Sequence, residues 1–105
     1  MARFDVYANT GPHAHHTPYL LDVQSDWLQG LDTRVVIPLR RTSQFPAVKL
    51  PEQLCPVVTV AGDACLLETP KMAAVPLRML RAPVASLAAE QSRVVAALDF
   101  LFQGY

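Results

Sequence analysis

The sequence has little that would tie it to a polyanion, a membrane or an oxidising compartment. Charged residues make up 17% of the chain, and nine Lys plus Arg are matched by nine Asp plus Glu. No excess of one sign therefore points to direct nucleic-acid binding. No run approaches the ~20 apolar residues of a membrane span, and Met1-Ala2-Arg3-Phe4-Asp5 puts charge where a signal peptide needs its apolar stretch. Two cysteines are too few for the disulfide framework of a small secreted domain. The expectation is a soluble, cytoplasmic protein with two buried free thiols. The four glycines form neither a phosphate-binding loop nor a nucleophile elbow, and no histidine sits within a regular element, so the residues give catalysis little support.

What the chain does contain is apolar residues, 51% of its 105. That excludes disorder and suffices for one domain, residues 1–105, burying roughly two-thirds of the surface its unfolded chain exposes. A near-neutral, apolar-rich surface also favours self-association, so a homo-oligomer is expected.

Strands dominate the first 82 residues. Phe4, Val6 and Ala8 alternate with Arg3, Asp5 and Tyr7, which predicts a half-buried strand. Gly-Pro and Thr-Pro break the pattern over Asn9–Pro18, and Tyr19–Val23 resumes it as an antiparallel return. A second loop over Asp26–Thr33 is expected to expose Trp27 and Leu28. The β-branched run Val35–Leu39 contains Pro38, which belongs at a bulge, an edge or a strand end. Prolines 46, 51 and 56 make Arg40–Pro56 an irregular excursion or small side sheet. Val57–Val60 and Ala64–Glu68 predict a hairpin around Ala61-Gly62-Asp63, with Val60 opposite Ala64, Cys65 opposite Thr59 and Cys55 near Thr69. Ala73–Leu80 adds one or two strands interrupted at Pro76. After Pro83 the composition turns to helix formers. One helix is predicted to start between Ser86 and Ala89, to show Val94, Val95, Leu98, Leu101 and Phe102 on one face, and to stop at Gly104. The sum is α+β: a strongly bent antiparallel sheet approaching an SH3-like small barrel, with a small wing sheet and one C-terminal helix.

Three clusters are candidates for chemistry. His13, His15 and His16 share the first loop, but without a nearby carboxylate or cysteine in sequence, and no metal or other cofactor is assigned. Asp22 and Asp26 are four apart, about 13 Å along a strand, which suits turn and cap hydrogen bonding better than joint acid/base work. Arg34, Arg40 and Arg41, beside Thr33, Thr42 and Ser43, resemble an RNA-cleaving set, although a solvated strand edge explains them as well. The last feature is the apolar end, Phe100-Leu101-Phe102. Consecutive side chains on a helix diverge by about 100°, so one core cannot receive all three. Part of this end is expected to meet a neighbour.

Leu21-Asp22-Val23-Gln24-Ser25-Asp26, Val36-Ile37-Pro38-Leu39, Pro56-Val57-Val58, Met72-Ala73-Ala74-Val75-Pro76 and Phe102-Gln103-Gly104-Tyr105 occur in an order that resembles the CcdB family of plasmid and chromosomal toxins. The Asp-Val-Gln-Ser-Asp and Val-Ile-Pro-Leu elements are the more specific ones. The resemblance covers nearly the whole chain, with a longer first loop and one extra residue at Ala61. It implies a bacterial type II toxin acting as a homodimer. Such a toxin binds the A subunit of DNA gyrase, traps the enzyme on cleaved DNA without covalent chemistry of its own, and is neutralised by a CcdA-like antitoxin whose disordered segment folds on contact.

Carried over residue by residue, the gyrase-contacting positions are Arg3, Phe4, Tyr7, Ser25, Trp27, Asp99, Phe102, Gln103, Gly104 and Tyr105. Trp27 and Leu28 match the antitoxin-binding apolar pair. Gln103 stands where the family carries tryptophan, Tyr105 replaces the terminal isoleucine, and Asp99 replaces asparagine. An amide cannot reproduce the cation–π attraction of an indole over a guanidinium, about 0.5–2 kcal/mol. Two alternatives stay open: a MazF-like ribonuclease toxin using the arginine cluster, and a non-toxic homologue that only binds antitoxin and takes part in repressing its own operon.

Overall fold

A computed structural model describes residues 2–44 and 51–104. Seven strands and one helix follow in chain order: β1 (Asp5–Ala8), β2 (Tyr19–Asp22), β3 (Thr33–Arg41), β4 (Val57–Val60), β5 (Asp63–Leu67), β6 (Ala73–Pro76), β7 (Ala85–Ser86) and α1 (Gln91–Gln103). All pairings are antiparallel. The strand order is β4-β5-β3-β2-β1-β7, with β6 also on β3. The sheet is strongly bent and nearly closed, α1 is the single α-helix among the described residues, and the α+β class expected from the sequence holds. The hairpin β4–β5 is the wing, joined to the main sheet through β3.

Bending lets one sheet wrap a core. Phe4, Val6, Leu21, Ile37, Leu39, Val58, Val60 and Leu67 converge there, and Val94 and Ala97 of α1 close it. A smaller cluster on the other face gathers Tyr7, Leu20, Val36 and Leu80. The half-buried reading of β1 is corrected by this second cluster, because Val6 and Tyr7 point to opposite faces and both are fully buried.

β3 serves two partners along one edge, β6 against Thr33–Val36 and β5 against Leu39–Arg41. Pro38 lies between them in the longest strand, which corrects its placement at a bulge, edge or end. Its carbonyl accepts from the Glu68 N–H at 3.0 Å. A residue's N–H and C=O point to the same edge of an extended strand, so the missing donor of Pro38 falls in the seam between β6 and β5. Pro76 ends β6 as the lost N–H requires.

The β4–β5 register also differs from expectation. Val60 pairs with Asp63, Thr59 with Ala64 and Val58 with Cys65. The connection is a two-residue turn in which Ala61 (φ 50°) and Gly62 (φ 86°) both take positive φ, the type that matches strand twist. Asp63 belongs to the strand. Cys55 and Cys65 are free and buried. A backbone hydrogen bond from Thr69 reaches Cys55, as expected from their proximity, and burial pushes both thiols above their ordinary pKa.

Ser86 Oγ accepts from the Ala88 N–H at 3.2 Å, and a 3-10 turn over Ala88–Glu90, with Leu87 at its N-cap, precedes α1. The α-helix thus begins at Gln91, later than predicted. Gly104, at φ 81°, ends it with its N–H on the Phe100 carbonyl. Arg93 reaches back from α1: Nη1 meets Glu90 at 2.8 Å, and Nη2 donates to the Val57 carbonyl of β4 at 2.7 Å.

Candidate functional site

At the end of β2 the chain enters Val23–Leu28, and a buried arginine from β3 organises it. Arg34 is 1% exposed. Its Nη2 lies 2.7 Å from Asp22 Oδ2, and its Nε donates to the same oxygen at 2.9 Å. Nη2 also donates to the Gln24 carbonyl at 3.2 Å and lies 3.9 Å from Asp26 Oδ1. Asp22 Oδ1 accepts from the Gln24 N–H at 3.0 Å, closing an Asx turn. The Gln24 amide then spans the loop, accepting from the Val35 N–H and donating to the Leu28 carbonyl. Burial raises the Asp22 carboxyl pKa, while the Arg34 and Gln24 hydrogen bonds pull it down, and burial prevails.

This correction bears on function. The arginine expected on a solvated strand edge is instead a core cation, and Asp22, expected to serve only turn bonding, is its counter-ion. The 13 Å separation did not apply, because the chain leaves the strand after Asp22 and both carboxylates face Arg34 Nη2. The two positions were in view, but their pairing was not. The usable signal is the β2–β3 register, which sets Asp22 opposite Val36 and so brings Arg34 within reach.

The network holds up an apolar tip. Ser25 Oγ accepts from the Trp27 N–H at 3.2 Å and caps a single 3-10 turn, Asp26–Leu28. Trp27 stands 95% exposed, and Leu28 and Leu31 are each about half exposed. Asp26 Oδ1 accepts from the Arg3 N–H at 2.8 Å, Arg3 Nε donates to the Val23 carbonyl at 3.0 Å, and the Arg3 guanidinium lies 4.8 Å from the centre of the Phe4 ring. Arg3, Ser25, Asp26 and Trp27 therefore form one connected patch.

Two of the proposed contact positions are not on that surface. Phe4 is a core side chain, and Tyr7 is fully buried. Phe4 also takes φ 73°, with its N–H on the Asp22 carbonyl at 2.7 Å and its carbonyl accepting from Leu87 at 2.8 Å. The Tyr7 hydroxyl has no hydrogen-bond partner among the described residues, and burial, then Asp5 and Asp22, raises its pKa.

The helix end supplies the second surface. Val94 and Ala97 are buried, Val95 and Leu98 pack against the core, and Phe100 and Leu101 are half-buried. Phe102 is 70% exposed, and Asp99, Gln103 and Gly104 are exposed. The divergence expected of Phe100-Leu101-Phe102 is thus realised. Tyr105 lies outside the described residues, as does the 45–50 portion of the excursion predicted over Arg40–Pro56. No group of three or more His, Cys, Asp or Glu able to hold a metal occurs among the described residues, and none of their helices is long and apolar enough to cross a membrane.

A bent, nearly closed sheet closed by one terminal helix, with a tryptophan held out on a braced turn, defines a small α+β domain with large apolar side chains exposed on its surface. The family model described as CcdB protein matches residues 3–104, and the chain belongs to the CcdB family, whose members are toxins of toxin–antitoxin systems. No curated protein matched the sequence.

Proposed function

We propose that this chain is a type II toxin that binds the A subunit of DNA gyrase as a homodimer and traps the enzyme on cleaved DNA. It does so by contact alone, with no bond made or broken by the toxin, and a CcdA-like antitoxin neutralises it by covering Trp27 and Leu28. The observation that carries this reading is Trp27, an almost fully exposed indole on a turn braced by a buried ion pair. Large exposed aromatics on ordered supports are the usual anchors of protein recognition. Exposed Phe102 beside half-buried Phe100 and Leu101 supports a helix end shared between a second copy and the target. The ribonuclease alternative is weakened, since Arg34 is committed to Asp22 and Arg41 is paired with Asp63 at 3.7 Å. Gln103 favours the non-toxic alternative.

The test is supercoiling by purified gyrase with linear-DNA trapping as readout, using the intact protein, Trp27→Ala and a variant lacking residues 103–105. Trapping lost in both variants supports the proposal. No trapping by the intact protein at micromolar concentration rejects it, and RNA cleavage and antitoxin binding then separate the two alternatives.

A further inference from the structure

α1 and the segment that leads into β4 enclose a groove on the outer side of the helix. The segment is pinned from within: the Pro51 carbonyl accepts from the N–H groups of Leu54 and Cys55 at 3.0 and 2.9 Å, Cys55 is buried, and the Pro56 carbonyl accepts from the Leu67 N–H of β5 at 2.9 Å. Arg93 ties the helix to the same wall through the Val57 carbonyl.

Between these walls lie two adjoining cavities of about 240 and 300 Å³, which share Gln53 and Ala96. Glu52, Pro56 and Arg93 complete the first, Asp99 and Phe100 the second. From Arg93 to Phe100 the helix rises about 10 Å, which sets the length of the groove. Ala96 is exposed and small, so the floor is open, and Pro56 and half-buried Phe100 make it apolar.

The charges around the groove do not cancel. Arg93 is held by Glu90 at 2.8 Å and by the Val57 carbonyl. Glu52 in one cavity and Asp99 in the other are exposed, and neither has a counter-ion among the described residues. Asp99 also stands just before the last turn of α1, which carries no basic side chain. The helix dipole places about half a negative charge at that end, so a carboxylate there is repelled by its own helix and a cation from outside relieves the repulsion.

We propose that this groove receives an extended basic segment of a partner protein, with an aliphatic residue over Ala96, against Pro56 and Phe100, and a flanking arginine or lysine on either side for Glu52 and Asp99. Three extended residues span about 10 Å, the length available. Because the two carboxylates line different cavities, the cations flank the apolar residue instead of adjoining each other. The inference stands on the groove and does not rest on the gyrase reading.

An acetylated and amidated Gly-Arg-Leu-Arg-Gly peptide, titrated into the intact protein, tests it, with the backbone amide NMR signals of Gln53, Ala96 and Phe100 as readout. It is expected to bind saturably and about tenfold more tightly than Gly-Arg-Gly-Arg-Gly, the worth of burying one aliphatic side chain. Glu52→Gln and Asp99→Asn are each expected to weaken it about threefold, as for exposed ion pairs. Ala96→Leu, which fills the floor, is expected to weaken it about tenfold or more, and Trp27→Ala should leave it unchanged. The proposal is overturned if about 10 mM peptide gives no saturable shift, if spermidine or Gly-Glu-Leu-Glu-Gly binds as well, or if Ala96→Leu keeps full affinity. It is also overturned if Ala96→Leu lowers the sedimentation coefficient, which would make a second copy the occupant.

Discussion

Arg34 and Asp22 are joined in the core through one oxygen, Asp22 Oδ2, which accepts a hydrogen bond from Nε at 2.9 Å and forms an ion pair with Nη2 at 2.7 Å. Removing one partner leaves a buried, uncompensated charge. Arg34→Met or Asp22→Leu alone should each cost about 3–5 kcal/mol, measured by urea unfolding. The double variant should be markedly less destabilised than the sum of the two, and strict additivity would show that the pair is not coupled.

Trp27→Ala should leave stability within about 0.5 kcal/mol of the parent, because the side chain touches almost nothing in its own chain. The same change should weaken antitoxin or gyrase binding by about 2 kcal/mol or more. A thermal melt beside a binding titration separates the two effects, and an unchanged affinity would remove Trp27 from the contact surface.

Tyr7→Phe should be neutral or stabilise the fold by about 1 kcal/mol, since the hydroxyl is buried without a partner among the described residues. Chemical denaturation checks this. A loss above about 1 kcal/mol would mean that the hydroxyl is bonded in solution.

Burial raises the thiol pKa values of Cys55 and Cys65. In the unfolded chain thiols ionise near about pH 8.5, while the native ones keep their protons. The unfolded state then binds fewer protons, so this contribution is fully present below about pH 8.5 and is lost as pH rises through the native pKa values. Stability should fall on the alkaline side, and Cys55→Ala with Cys65→Ala should flatten that slope. Thiol reagents should label the protein only as it unfolds.

Ala61→Gly should stabilise the hairpin by up to about 1 kcal/mol, because an L-residue in the left-handed region carries that strain. Gly62→Ala, at φ 86°, should destabilise it by a similar amount. Thermal unfolding of the two variants in opposite directions is the expected result.

Elements whose signal is local were readable from the chain. Val57–Val60 paired with the following run, Pro76 ended its strand and Gly104 terminated the helix, because alternation, a missing donor and a left-handed cap each act within a few residues. The hairpin register was not readable. Asp63 looks like a turn former, and nothing marks Ala61 as the residue that takes positive φ. Pro38 in a central strand depends on where β5 and β6 divide the edge of β3, a fact of topology. At the site, the exposure of Trp27 and Leu28 followed from a polar loop with no apolar periodicity to bury them. The burial of Arg34 did not, because its counter-ion lies twelve residues away in sequence and meets it only through β2–β3 pairing.

Arg93 has a consequence for how copies of this protein coexist. β4 is an outer strand, with Val57 45% exposed, and such an edge is a template for another chain. The guanidinium occupies the Val57 carbonyl from the helix side and, tethered by Glu90, sets a charge over the open rim. It fills one open acceptor of that edge: the same helix that leaves Phe102 exposed at its end also covers part of the sheet's outer strand.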